Sequence, residues 1–131
     1  MSAISVFLCD DTPELRELTR FNLEETEDMR VVGEAGDAHT GVDLIGELQP
    51  DVVLLDLTMP GVSGLEAIRM IQVAAPRTAI VILSGMSRER VGDVCRALGA
   101  VDYVEKREPM DRVREAVRDA AGGDLGTEVH W

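Results

Sequence analysis

The chain has 131 residues, 45% of them hydrophobic, and a formal net charge of −12. Such a length suits one domain with one core; no apolar run nears the ~20 residues of a membrane span, and the N-terminus MSAISVFLCDD lacks the basic start of a signal peptide. The charge opposes nucleic-acid binding, which needs a basic footprint, and it is unevenly placed: residues 1–66 hold 15 acids and 3 bases, residues 67–131 ten of each.

Cytoplasmic localisation, with neither a membrane nor a nucleic acid as partner, is the expectation these features set. In chain order, Ile4 to Leu8 reads as a buried strand closed by Asp10 and Asp11. Thr12-Pro13-Glu14 reads as a helix start, with Thr12 as N-cap, proline at the first helical position and an acid in the first turn. Leu15, Leu18 and Asn22 follow at helical spacing as its inner stripe; Phe21 falls off that stripe and is placed at the flank of the core, with a contact surface as the alternative. Met29 to Ala35 is a second strand. Ala38 to Leu48 is a helix with Val42, Leu44, Ile45 and Leu48, ended by Gln49-Pro50. Asp51 to Leu55 is an apolar run that reads as a strand buried on both faces, with Asp56 at its end and a turn at Pro60-Gly61. Gly64 to Ala75 is a third helix carrying Leu65, Ala67, Ile68, Ile71 and Val73, stopped at Pro76. Thr78 to Leu83 is a fourth strand ending in Ser84-Gly85. Ser87 to Leu98 is a helix with Ser87 as N-cap and Gly99 as its stop. Val101 to Glu105 is a fifth strand ending in Lys106, and Pro109 to Ala121 is a last helix ended by Gly122-Gly123. Residues 1–122 thus form the domain and 123–131 a short C-terminal tail. Cys9 and Cys95 fit no metal spacing and read as packed thiols.

Strands and helices alternate strictly, five of each. Alternation with apolar strands implies an α/β doubly wound fold, a five-stranded parallel sheet covered on both faces. Parallel strands bring their C-terminal ends to one edge, where open α/β sheets place their chemistry. That edge collects Asp10 and Asp11 from the first strand, Asp56 from the third, Ser84 from the fourth and Lys106 from the fifth. Three adjacent carboxylates cannot all stay ionised without a cation, and Mg²⁺, a hard ion with oxygen ligands, resolves the conflict. Lys106 and the Ser84 hydroxyl suit a phosphoryl group opposite the cation. Asp56, beside metal and lysine, can then act as a nucleophile toward phosphorus. Each residue also has a plainer reading: Asp56 as a loop cap, Asp10 as a helix N-terminal acid, Ser84 as a turn residue, Lys106 as a solvated surface group. Lys106 is, however, the sole lysine among 12 arginines.

These five positions in order, with LDLTMPGVSGLEAI and GAVDYVEK, make the chain resemble the receiver domain of bacterial two-component response regulators over residues 4 to about 121. The resemblance implies a flavodoxin-like (βα)5 fold with strand order 2-1-3-4-5. It implies that Asp56 accepts a phosphoryl group from a histidine kinase or phosphotransfer protein. Asp11, Asp56 and the Thr58 backbone carbonyl would bind Mg²⁺ directly, and Asp10 through water. Ser84 and Lys106 would bind phosphoryl oxygens, and Tyr103 would be the aromatic whose rotamer follows the serine, against the plainer reading of a packed strand residue. The signal would pass to the face of helix 4, strand 5 and helix 5. Arg107 and Glu108 stand between Lys106 and Pro109, a spacing similar to NarL/FixJ-type receivers, which are usually fused to a helix-turn-helix domain. Without a proline after Lys106, the Lys106–Arg107 peptide is expected to be trans. The downstream partner stays open: a separate protein, a fused output domain, or a second copy in a homodimer. A receiver-like module that is never phosphorylated is the alternative. A dehalogenase-type phosphatase wants an acid at position 58, where Thr58 stands, and a flavin-binding flavodoxin wants aromatics that a 3% aromatic content does not supply. The chain is thus expected to be a phosphoacceptor rather than an enzyme of turnover.

Overall fold

Short runs of β-branched and aliphatic residues form the strands, and amphipathic segments form the helices between them. The computed structural model describes residues 3–122; the expected tail over 123–131 lies outside the described residues. The order is β1 (Ile4–Cys9), α1 (Pro13–Glu24), β2 (Met29–Ala35), α2 (Ala38–Leu48), β3 (Val52–Leu55), α3 (Gly64–Ala74), β4 (Ala79–Ser84), α4 (Arg88–Leu98), β5 (Asp102–Glu105) and α5 (Met110–Gly122). The strands form one sheet in the order β2-β1-β3-β4-β5, every pairing parallel. Among the described residues no helix is long and apolar enough to cross a membrane.

Side chains alternate across a strand, so each strand feeds two cores. Phe7, Val53, Leu55, Ile80, Ile82 and Tyr103 meet Ile45, Ile68, Ile71 and Cys95 from α2, α3 and α4. Val6, Leu8, Val52, Leu54, Val81 and Val104 meet Leu23 of α1 and Val113, Ala116 and Val117 of α5. β3, in the middle, has all four residues at 2% exposure or less, as its apolar run predicts. Burying each such aliphatic side chain contributes about 1.5–3 kcal/mol.

Helix ends follow capping chemistry in part. Asp37 and Ser63 cap α2 and α3, accepting from the Thr40 and Glu66 amides at 2.9 and 3.2 Å. Thr12 and Ser87 stand at the N-cap positions of α1 and α4, but neither side chain makes the capping bond. Gly99 ends α4 at φ +113, where a side chain would be strained and would run into the Gln72 amide.

Three expectations about helix faces are corrected. On α1, Leu18 is 53% and Phe21 64% exposed, so Phe21 does not flank the core. The buried stripe is Thr19 and Leu23, with half-buried Leu15 one turn before, spaced four apart. A threonine at the centre of the inner face hides that stripe from hydropathy. On α3, Val73 is 84% exposed; at 100° per residue it lies roughly 140° round from Ile68. The Lys106–Arg107 peptide is trans, as no cis bond occurs among the described residues.

Candidate functional site

The strand register builds the site. Cys9 lies opposite Leu55, and the Asp56 amide donates to the Cys9 carbonyl at 2.9 Å. The residues just beyond, Asp10 and Asp56, therefore emerge side by side. On the other side, Ser84 lies opposite Glu105, and the Lys106 amide donates to the Ser84 carbonyl at 2.8 Å. The four strand ends thus converge on one edge.

One oxygen from each of Asp10, Asp11 and Asp56 can be chosen so that all lie within 4.8 Å of one another. Asp56 is 1% exposed and Asp10 6%, whereas Asp11 faces solvent. The Lys106 ammonium reaches back between the buried pair, 2.9 Å from Asp10 Oδ2 and 3.0 Å from Asp56 Oδ2. Burial alone would lower the pKa of this lysine, but the bonds to Asp10 and Asp56 outweigh it and raise it. Lys106 is therefore charged and serves as counter-ion to the carboxylates. The other Asp56 oxygen, Oδ1, accepts from both the amide and the hydroxyl of Thr58 at 3.1 Å. Asp10 Oδ1 accepts from the Thr12 amide at 2.8 Å, a turn that orients its second oxygen toward Lys106. Cys9, just behind, is inert: burial first, then the charges of Asp37, Asp10 and Asp56, push its thiol up to about 12.

The loop after Asp56 is held by close packing. A Cβ at Gly64 would lie 2.4 Å from the Leu57 Cα and 2.6 Å from its carbonyl oxygen, so only glycine lets α3 start this near the strand end. On the opposite side, Ser84 is fully buried and its hydroxyl accepts from the Met86 amide at 3.2 Å. Tyr103 is also fully buried, and its hydroxyl donates to the Met86 carbonyl at 2.8 Å. Burial raises the pKa of this phenol, with the Ser84 hydrogen bond working the other way.

Each residue singled out in the sequence thus lies at or beside the strand edge, and Asp10, Asp56 and Lys106 are in direct contact. Two participants were not anticipated. The Thr58 side chain joins its backbone in holding Asp56. Arg16, on the first turn of α1, donates to the Asp10 carbonyl and pairs with Glu34 on β2; its polar position beside Pro13-Glu14 gave no apolar signal. The donor set fits a hard divalent cation, because its carboxylates are all oxygen ligands and already enclose a positive charge on Lys106.

The model for the response regulator receiver domain matches residues 6–118. The chain is 43% identical over 122 residues to the transcriptional regulatory protein YxjL of Bacillus subtilis (strain 168), covering 92% of this chain and 56% of that protein. It is 35% identical over 123 residues to the nitrate/nitrite response regulator protein NarL of Escherichia coli (strain K12), with the same two coverages. A solved two-component response regulator of the LuxR family from Aurantimonas sp. SI85-9A1 superposes with a TM-score of 0.87 at 30% identity, over 98% of this chain and 96% of that one. The chain spans about half the length of the curated relatives it matches. With this match over almost all of its described residues, and with strand order β2-β1-β3-β4-β5, the chain belongs to the response regulator receiver domain family.

Proposed function

We propose that this chain is a phosphorylation-operated switch in which Asp56 accepts the phosphoryl group. The observation that carries the reading is the Asp10–Asp11–Asp56 oxygen cluster with the single lysine of the chain lodged between two of its members. A phosphohistidine of a histidine kinase or phosphotransfer protein is the donor. An Asp56 oxygen forms the bond to phosphorus as the phosphorus–nitrogen bond breaks, and the leaving imidazole takes up a proton. Transfer of this kind asks for positioning and charge stabilisation more than for covalent machinery. The Thr58 amide and hydroxyl hold Asp56 in place. Lys106, 3.0 Å from Asp56 Oδ2, is positioned to follow the incoming negative charge onto the phosphoryl oxygens, and the Ser84 hydroxyl is suited to donate to a second oxygen. Asp10, Asp11, Asp56 and the Thr58 carbonyl would hold Mg²⁺, which when bound supplies positive charge to the phosphoryl oxygens.

The phosphorylated Asp56 acts on the α4–β5–α5 face through Ser84 and Tyr103, both of which bond to Met86 in the loop that starts α4. Because YxjL is named a transcriptional regulatory protein, we assign to this span the receiving step, in the cytoplasm. The effect on transcription falls to a downstream protein or a fused output domain.

The test is intact mass after incubation with acetyl phosphate. One added phosphate is expected with Mg²⁺, and none with chelator or in Asp56→Asn. Undiminished labelling of that variant would move the site elsewhere.

A further inference from the structure

The N-terminus of α4 is tied down by groups that the phosphoryl site does not use. Ser87, at the N-cap, makes no capping bond. Instead the Glu105 carboxylate, from the end of β5, accepts from the Arg88 amide at 2.8 Å and so satisfies the first orphan donor of the helix. A carboxylate there also meets the positive end of the helix dipole. The Arg88 side chain closes the tie in the other direction. Its guanidinium donates to the Tyr103 carbonyl of the edge strand at 3.1 Å and to Glu108 at 2.9 Å. Glu108 in turn accepts from the Glu105 amide at 2.7 Å. Arg88, Glu105 and Glu108 therefore form a closed ring joining α4, β5 and the loop before α5.

The position of this ring matters more than its strength. Glu105 is bonded to Lys106, whose ammonium lies on Asp56, and it sits opposite Ser84 in the sheet register. The ring also grips the carbonyl of Tyr103 while the Tyr103 hydroxyl holds Met86, one residue before Ser87. Tyr103 is fully buried, the arrangement that a phosphoryl group is expected to favour, and the ring holds it from outside the site. Glu105 is kept ionised by the Arg88 amide and then by Arg107, both of which lower its pKa.

We infer that Glu105 is a positioning residue, and with Arg88 and Glu108 a latch that sets how much of the protein stands ready to receive a phosphoryl group. The inference rests on the reading of Asp56 as the acceptor. Opening the latch lets the start of α4 leave β5, so the ready population falls and the apparent affinity for a phosphoryl mimic falls by the same factor.

The experiment uses the full chain with 3-fluorotyrosine at its single tyrosine, titrated with beryllofluoride in Mg²⁺ and followed by fluorine NMR. Glu105→Leu is expected to bind more weakly, by up to about fivefold, the limit that loss of a helix cap of about 1 kcal/mol sets on the ready fraction. Its Tyr103 resonance should move toward that of an exposed ring before any mimic is added. Glu105→Gln keeps an oxygen for the Arg88 amide and should bind within about twofold of wild type. Arg88→Met, which leaves Glu105 in place, should also weaken binding and serves if Glu105→Leu fails to fold. If both variants melt earlier yet bind the mimic as tightly as wild type, the ring is a structural clip and the inference is overturned. A wild type that binds no beryllofluoride overturns the Asp56 reading, and the inference with it.

Discussion

Lys106 occupies two roles that compete for its charge. It neutralises Asp10 and Asp56 at 2.9 and 3.0 Å, and in the proposed switch it is needed on the phosphoryl group as well. Breaking a buried ion pair by removing one partner costs about 3 kcal/mol, so Lys106→Met should be destabilised by about that much in chelator. The deficit should shrink in millimolar Mg²⁺, which takes over the lysine's role as counter-ion. In the wild type Mg²⁺ should add about 2–3 kcal/mol when near a hundredfold over its dissociation constant. Urea unfolding at matched ionic strength checks both; a Lys106→Met deficit unchanged by Mg²⁺ would separate the lysine from the metal site. Asp10, Asp11, Asp56, Ser84 and Lys106 were legible in the sequence because each closes an apolar run. Their contacts were not, since the reach of Lys106 to Asp10 depends on a side chain crossing two strands. Arg88, Glu105 and Glu108 were illegible as a group: their bonds span 17 and 20 positions of sequence and join the edge strand to a helix start.

Among the elements, β2 is read from the chain with its bounds and β3 to within one residue, and α1 is started correctly at Pro13, but the inner face of α1 is not read. Its inner face depends on Thr19, a polar residue that is 3% exposed beside Leu23 at 0%. Leu23→Ala should therefore cost about 2–5 kcal/mol, and Leu18→Ala no more than about 0.5 kcal/mol. Chemical denaturation of the two variants distinguishes the faces, and equal losses would restore the stripe through Leu18. A second link belongs to α5, where Arg118 reaches Asp28 ahead of β2 at 2.7 Å. Its hydrogen bond lowers the Asp28 carboxyl from an ordinary 3.8 to about 2. The folded pKa lies below the unfolded one, so the stabilisation is present above about pH 4 and is lost as pH falls from 3.8 toward 2. The stability difference between wild type and Asp28→Asn should hold steady from neutrality to about pH 4.5 and then close. A difference that persists undiminished at about pH 2.5 would place the effect outside the charge pair. Both side chains are about half exposed, so the effect is small.

Across the whole molecule, the convergence of strand ends follows from alternation and parallel pairing, whereas the sheet order is what the resemblance to receiver domains implied, and the chain shows both. The charge map needs more than counting. The balanced second half suggests arginines free for a partner, yet Arg88, Arg107, Arg112 and Arg118 pair with Glu108, Glu105, Asp102 and Asp28 within the chain. Three of these pairs, those of Arg88, Arg107 and Arg112, lace the α4–β5–α5 face internally, and the proposed relay from Asp56 would have to reorganise them to be felt outside. Amide exchange with and without beryllofluoride and Mg²⁺ measures this most directly. Protection should change at the loops around Asp11 and Asp56, through residues 84–107 and along α5. Changes confined to the loops around Asp11 and Asp56 would show a site that binds phosphoryl and relays nothing, contradicting the switch.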